Sequence, residues 1–256
     1  MMDKMSNAEK YHFGDFTTEK YRELIRMAKK NYVFRDYTNF DKGEKFVLWR
    51  HDIDFSVHRA FRLAQMENEE EVTSTFFIHL HSEWYNTFEN EIFDLIIKIK
   101  NLGHQIGLHF DTHFYGIANE KELGEKIQFE KYILDKLLGI DLKVFSFHNT
   151  TAFTMNCKEE EYGGLINTYA NYLQSEVTYC SDSNGYWRYS RLPELLASGE
   201  APRLHVLTHP EWWQENVMSP FERIRNCAVR RSENNLNNYV QFIEKAGNKN
   251  IDWHEK

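Results

Sequence analysis

Short β-rich runs alternate with amphipathic helical segments along most of this chain, and that alternation restricts the fold more than any other feature. The first run is Lys45 to Asp54, Lys-Phe-Val-Leu-Trp-Arg-His-Asp-Ile-Asp; the others are Thr73 to Leu80, His104 to Phe110, Val144 to His148, Val177 to Asp182 and Arg203 to His209. Between them, apolar residues recur at helical spacing. Val57, Ala60, Phe61 and Ala64 follow a Ser56 N-cap; Ile92, Leu95, Ile96 and Ile99 stop at Gly103; a weaker pattern from Lys121 to Leu138 ends at Gly139. Tyr21, Leu24, Ile25 and Ala28 mark an opening helix, and Leu236, Tyr239, Val240 and Ile243 a closing one before Gly247. Strands alternating with helices imply parallel β-α units joined by right-handed crossovers. Six or seven such units predict an α/β fold, a (β/α) barrel or an incomplete one more than an open sheet, in a single domain over the whole chain.

Composition narrows the function. Hydrophobic residues are 41% of the 256 and aromatics 15%, enough for a substantial core and too many for a disordered chain. A net charge of −8 argues against a nucleic-acid or polybasic membrane binder. Arg223, Arg225, Arg230 and Arg231 read as a solvated helix face. Cys157, Cys180 and Cys227 are far apart and form no CxxC pair, so a reducing compartment is the default. The N-terminus shows no apolar core of a signal peptide, and no stretch is apolar for long enough to span a bilayer; Ile92 to Leu102 is broken by Asp94, Lys98 and Lys100. A cytoplasmic location is expected.

In such barrels the polar residues at the C-terminal ends of strands build the active site. Here the first run ends His51-Asp52-Ile53-Asp54, and period-2 alternation puts Asp52 and Asp54 on one face. The third continues Leu108-His109-Phe110-Asp111-Thr112-His113, the fourth ends Phe147-His148-Asn149, and later ones end Cys180-Ser181-Asp182 and Leu207-Thr208-His209. One carboxylate and two histidines form a facial ligand set for a divalent ion. His109 and His113, four apart, meet if the segment takes a helical turn. A single strand-end histidine is more often a satisfied polar residue than a ligand. Six of the twelve histidines (His51, His104, His109, His113, His148, His209) lie at or near inferred strand ends, however, a clustering that chance explains poorly. His12, His58 and His254 read as surface residues, and His79, His81 and His205 as structural ones. Trp212 and Trp213 are either core or the wall of a sugar site.

Arg-His-Asp-Ile-Asp at 50–54, Gly-His-Gln-Ile-Gly-Leu-His-Phe-Asp-Thr-His at 103–113 and Val-Leu-Thr-His-Pro at 206–210 together resemble the motif series of the polysaccharide deacetylase (NodB-homology, carbohydrate esterase 4-like) superfamily. The resemblance covers roughly residues 45 to 215, leaving helical extensions at both ends. It implies an irregular, incomplete (β/α) barrel with about seven parallel strands, and metal-dependent hydrolysis of an amide on a sugar. By its motifs, His109, His113 and Asp54 hold the ion, Asp52 is the general base, His209 the general acid, and His104 is not a ligand. Asp182 followed by Trp187 resembles the pair that supports the acid histidine. The expected ion is divalent, zinc first, with Co2+, Ni2+, Mn2+ or Fe2+ as other candidates. One departure stands out: the family's Arg-x-x-Pro-x-Gly motif is absent around Phe145 to Asn149. His148 is expected to stand in the site instead, with Arg50 or Arg188 supplying the missing charge and Trp213 near the substrate.

The expected substrate is an N-acylated, typically N-acetylated, amino sugar in an intracellular glycan precursor, with no nucleic-acid partner. Two other readings are a non-sugar amide or imide hydrolase and a catalytically silent carbohydrate-binding homologue. The joint presence of Asp52, Asp54, His109, His113 and His209 speaks against silence. An HD-type phosphohydrolase ranks low, since its His-Asp pair belongs on helices and His51-Asp52 ends a β-rich run.

Overall fold

The computed structural model describes residues 5–249 and residue 251, so His254 lies outside the described residues. After a short helix α1 (Asn7–Lys10), α2 (Thr18–Asn31) leads into β1 (Val33–Arg35), β2 (Phe46–Ile53) and α3 (Val57–Glu69). There follow β3 (Thr75–Ile78), α4 (Asn90–Asn101), β4 (Gln105–Asp111), α5 (Thr112–Tyr115), α6 (Glu120–Leu138) and β5 (Val144–His148). Then come α7 (Ala152–Asn156), β6 (Glu161–Tyr162), β7 (Leu165–Asn167), α8 (Asn171–Ser175) and β8 (Thr178–Ser181). The chain closes with α9 (Leu192–Ser198), β9 (Arg203–Thr208) and α10 (Pro220–Lys245).

Among the described residues all strands join one curled sheet in the order β6-β7-β5-β4-β3-β2-β9-β8, with β1 alongside the start of β2. Every pairing is parallel except β6 with β7, and β6 and β8 stand at opposite ends of the path, so the barrel stays open. This is the incomplete (β/α) barrel that the alternation predicts. The strands beyond the six legible runs are β1, β6 and β7, each of three residues or fewer, too short to show periodicity. The helix signals hold locally. Ser56 accepts from the Arg59 N–H, and Gly139 ends α6 in the left-handed conformation.

Alternation sorts the core into layers. Outward residues such as Phe76, Ile78, Leu108, Phe110 and Phe145 pack against Ala60, Ile96, Ile99 and Leu134 of α3, α4 and α6. Val47, Trp49, Leu204 and Val206 meet Tyr21, Leu24 and Leu196 of α2 and α9. Inside the barrel, Phe46, Leu48, Phe77, Val144, Leu173 and Val177 plug the end where strands begin. The polar chemistry is thereby confined to the end where they finish.

Two expectations are corrected. Arg223 is fully buried, donating to the Gly185 and Phe13 carbonyls over the Phe16 ring, because α10 turns that position onto the body of the protein. The closing helix forms as expected at the end of α10, with Leu236 and Tyr239 55% and 50% exposed. Two strand-end histidines point away from the barrel interior. His51 bonds Glu67 (2.8 Å) and Thr208 (2.7 Å), and His104 bonds the Ala64 carbonyl (3.0 Å), all behind the sheet.

Gly107 is held by space and not by backbone conformation: a Cβ there would meet the Phe77 ring at 2.5 Å. Gly107→Ala is therefore expected to cost about 1–3 kcal/mol through overpacking, read as a lower denaturant midpoint at unchanged slope. Wild-type stability would mean that Phe77 has room to move.

Candidate active site

On β2, Val47, Trp49 and His51 face outward, whereas Arg50, Asp52 and then Asp54 open into a cleft of about 610 Å³ at the C-terminal ends of the strands. Arg50 and Asp52 are both buried, 0% and 2% exposed, and form a charge pair with Nη2 3.0 Å from Oδ2. Burying charges is costly unless further hydrogen bonds offset the lost water, and here all but Arg50 Nε of the guanidinium nitrogens find a partner. Arg50 Nη1 donates to Thr168 Oγ1 (2.7 Å), Nη2 also donates to the Tyr169 hydroxyl (3.2 Å), and Asp52 Oδ1 accepts from Ser146 Oγ (3.3 Å). Of the two arginines expected to supply charge, Arg50 reaches Asp52. Arg188 lies at the exposed rim of the cleft.

Asp54 is half-buried. His109 Nε2 lies 2.9 Å and His148 Nδ1 3.3 Å from its Oδ1, and the two nitrogens are 3.2 Å apart. Although close, neither is aligned to bond it: Asp54 Oδ1 is buried without a hydrogen-bond partner, and so is His79 Nε2. One ligand atom from each of Asp54, His79 and His148 falls within 4.8 Å of the others. These orphaned polar atoms and the oxygen-plus-imidazole donor set fit a divalent cation. Burial acts to raise the Asp54 carboxyl, but His109 and His148 beside it hold it well below the usual carboxylate range. Burial and the neighbouring His109 and His148 rings hold His79 down at about 2, a neutral imidazole. His113 lies on the α5 turn, exposed, its Nε2 2.9 Å from the Asn149 carbonyl. It borders the same cleft without joining the close cluster.

The last member comes from β9 and β8. His209 follows β9 and gives its Nδ1–H to Asp182 Oδ1 at 2.7 Å. Asp182, fully buried, also accepts from the His209 backbone N–H (3.0 Å) and from Trp213 Nε1 (3.1 Å). Burial alone would lower the His209 imidazole, but the bond and charge of Asp182 outweigh it and raise His209 to about 10. His209 Nε2 lies 3.8 Å from Asp54 Oδ2. The tryptophan on Asp182 is thus Trp213. Trp187 instead donates to Asp15 (2.9 Å) and stacks on Phe16. Trp213 is fully buried in the outer core, so Trp212 is the one that lines the cleft.

Sequence reasoning passed over His79, Ser146 and Glu211. His79 sits one residue past β3, the same strand-end position as the others. Ser146 shares the inward face of β5 with His148 at the two-residue period, and bonds both Asp52 and His109 (2.7 Å to Nδ1). Glu211, two residues past His209, is buried, and burial pushes its carboxyl up to about 8. Nothing in its local sequence announces that burial.

No protein-family model matches the chain, and no curated protein matches it. Among solved structures it is similar to a family 4 carbohydrate esterase from Bacillus anthracis, at 16% identity over 84% of this chain and 86% of that one, TM-score 0.43. It is also similar to the chitin deacetylase of the fungal pathogen Colletotrichum lindemuthianum, at 15% identity over 72% and 81%, TM-score 0.43. A third is a family 4 pseudoenzyme from Bacillus anthracis, at 12% identity over 76% and 63%, TM-score 0.41.

Removing one partner of a buried pair strands the other. Arg50→Met is expected to destabilise the protein by about 3–5 kcal/mol in urea unfolding, and adding Asp52→Asn to restore part of the loss. A neutral single variant would show that Asp52 gains little from the pair.

Proposed function

We propose that the protein is a metal-dependent hydrolase that removes an acyl group, in the first place N-acetyl, from an amino-sugar-containing substrate. The observation that carries this reading is the pairing of two oriented proton carriers around one ligand cluster. Asp52 is held by Arg50, His209 is held by Asp182, and Asp54 with His109 lies between them at the mouth of the cleft. Asp52, Asp54, His109, Asp182 and His209 are also residues of the motifs that resemble the deacetylases, whereas Trp187 turns to Asp15 and His113 borders the cleft.

Asp54 and His109 would hold the ion together with histidines of the same rim, among which the resemblance implies His113. When bound, a divalent ion, zinc first, would lower the pKa of a water molecule and polarise the acyl oxygen. Asp52 is acceptor-only and fixed by Arg50 and Ser146, so it is placed to take that water's proton. His209 presents Nε2 to the cleft while Asp182 holds its other nitrogen, so it can give a proton to the departing amine. That proton is needed because an unprotonated amide nitrogen is a poor leaving group. Trp212, Tyr169 and Tyr189 supply apolar faces along the cleft suited to a sugar ring. The free, buried cysteines fit the cytoplasmic location and the intracellular precursor substrate expected from the sequence.

Asp52→Asn leaves the Arg50 charge uncompensated and is expected to lower stability, but the folded fraction should keep the ion and lose about 10²–10⁴-fold in turnover, measured by mass spectrometry on N-acetylated sugars. Near-wild-type turnover would remove Asp52 as base. His209→Ala should cripple amide cleavage while sparing an activated ester, whose leaving group departs without a proton; equal loss on both would leave His209 a mere pocket wall. The acid must be protonated to act, so activity falls as pH rises through its pKa. Asp182→Asn removes the raising influence and should move the alkaline limb of the pH–rate profile to lower pH.

A further inference from the structure

We propose that the ion centre of this chain takes one donor from each of four adjacent strand ends, Asp54, His79, His109 and His148, and that His113 stands outside it. This rests on the metal-dependent reading above. Sheet register places the donors. Ile53 pairs with Ile78 and Ile78 with Leu108, so the next inward positions, Asp54, His79 and His109, stand level across β2, β3 and β4. On β5, Asp111 pairs with His148, one pleat beyond His109. Parallel strands with a common inward face leave these side chains no other shared direction.

The contacts agree with the register. His79 and His148 rings lie 4.3 Å apart between centroids, His109 and His148 5.0 Å, and His79 and His109 5.6 Å. Nitrogens thus face nitrogens and one carboxylate oxygen, with His79 Nε2 and Asp54 Oδ1 buried without a hydrogen-bond partner and Asp111 Oδ2 3.8 Å from His79 Nε2. Buried polar atoms left in this way are costly, and a cation converts the cost into bonds. Ser146 prepares His109: its hydroxyl donates to Asp52 and so accepts from His109 Nδ1–H, leaving Nε2 as a lone pair toward Asp54. On His148, a half-turn of the Asn149 amide, now 2.8 Å from Nε2, presents its oxygen to an Nε2–H and frees Nδ1. His113, by contrast, spends Nε2 on the Asn149 carbonyl at 2.9 Å and would have to break that bond to join.

Three imidazoles and one carboxylate select zinc, cobalt or nickel over magnesium or manganese. The test is equilibrium competition for Zn2+ between a chromophoric chelator and the apo-protein. His148→Ala and His79→Ala are each expected to weaken binding by about 10–100-fold or more, against about threefold or less for His113→Ala. X-ray absorption of the zinc-loaded wild type, which needs no variant to fold, should count three imidazoles. Two imidazoles, or loss of the ion in His113→Ala with retention in the other two variants, would overturn the assignment while leaving metal dependence intact. A wild-type protein that binds no stoichiometric zinc would instead overturn the metal-dependent reading itself, and this centre with it.

Discussion

The Arg50–Asp52 pair is charge withdrawn from water, and the rest of the site is arranged around the need to keep it satisfied. Neither ion would be stable alone at the centre of the barrel. Thr168, Tyr169 and Ser146 add hydrogen bonds to both ions, with Arg50 Nε left buried and without a hydrogen-bond partner, and Ser146 passes the order on to His109. One buried interaction thereby fixes the orientation of the Asp52 carboxylate and, through Ser146, of the His109 imidazole two strands away. Asp182 repeats the device at the other side, with three donors from His209 and Trp213 holding one carboxylate.

Much of this was legible because strand periodicity is a strong local signal. Lys45 to Asp54 reads as a strand on composition, and alternation alone puts Arg50, Asp52 and Asp54 on the face opposite His51. The same rule shows why a clustering of histidines at strand ends overstates the site. His51 and His104 point outward to the buried Glu67, and serve the packing of α3 on the sheet. His79 was hidden by the reverse error, since reading the strand through Leu80 makes it internal, whereas β3 stops at Ile78.

The parts that sequence could not supply are those set by distance in space. Trp187 is five residues from Asp182 and Trp213 thirty-one, yet the segment after β9 brings Trp213 to the carboxylate while Trp187 turns to Asp15. Arg223 looks like any exposed arginine on a charged helix until α10 lays it over Phe16. Periodicity predicts which residues of a helix share a face; whether another element covers that face is decided elsewhere, as Leu236 illustrates.

The open seam between β8 and the β6–β7 pair divides the cleft into two kinds of wall. Asp52, Asp54, His109 and His209 stand on or directly after strands whose register is locked on both sides, so inserting or deleting a single residue there would turn the whole set to the wrong face. Across the cleft, Thr150, Met155, Tyr169 and Gln174 come from the segment between β5 and β8, whose short strands β6 and β7 lie at one end of the sheet. A change of length in the loops of that segment leaves the register of β2, β3, β4 and β9 untouched. Length changes are thus expected to be tolerated on one wall of the cleft and not on the other, although both walls belong to one chain.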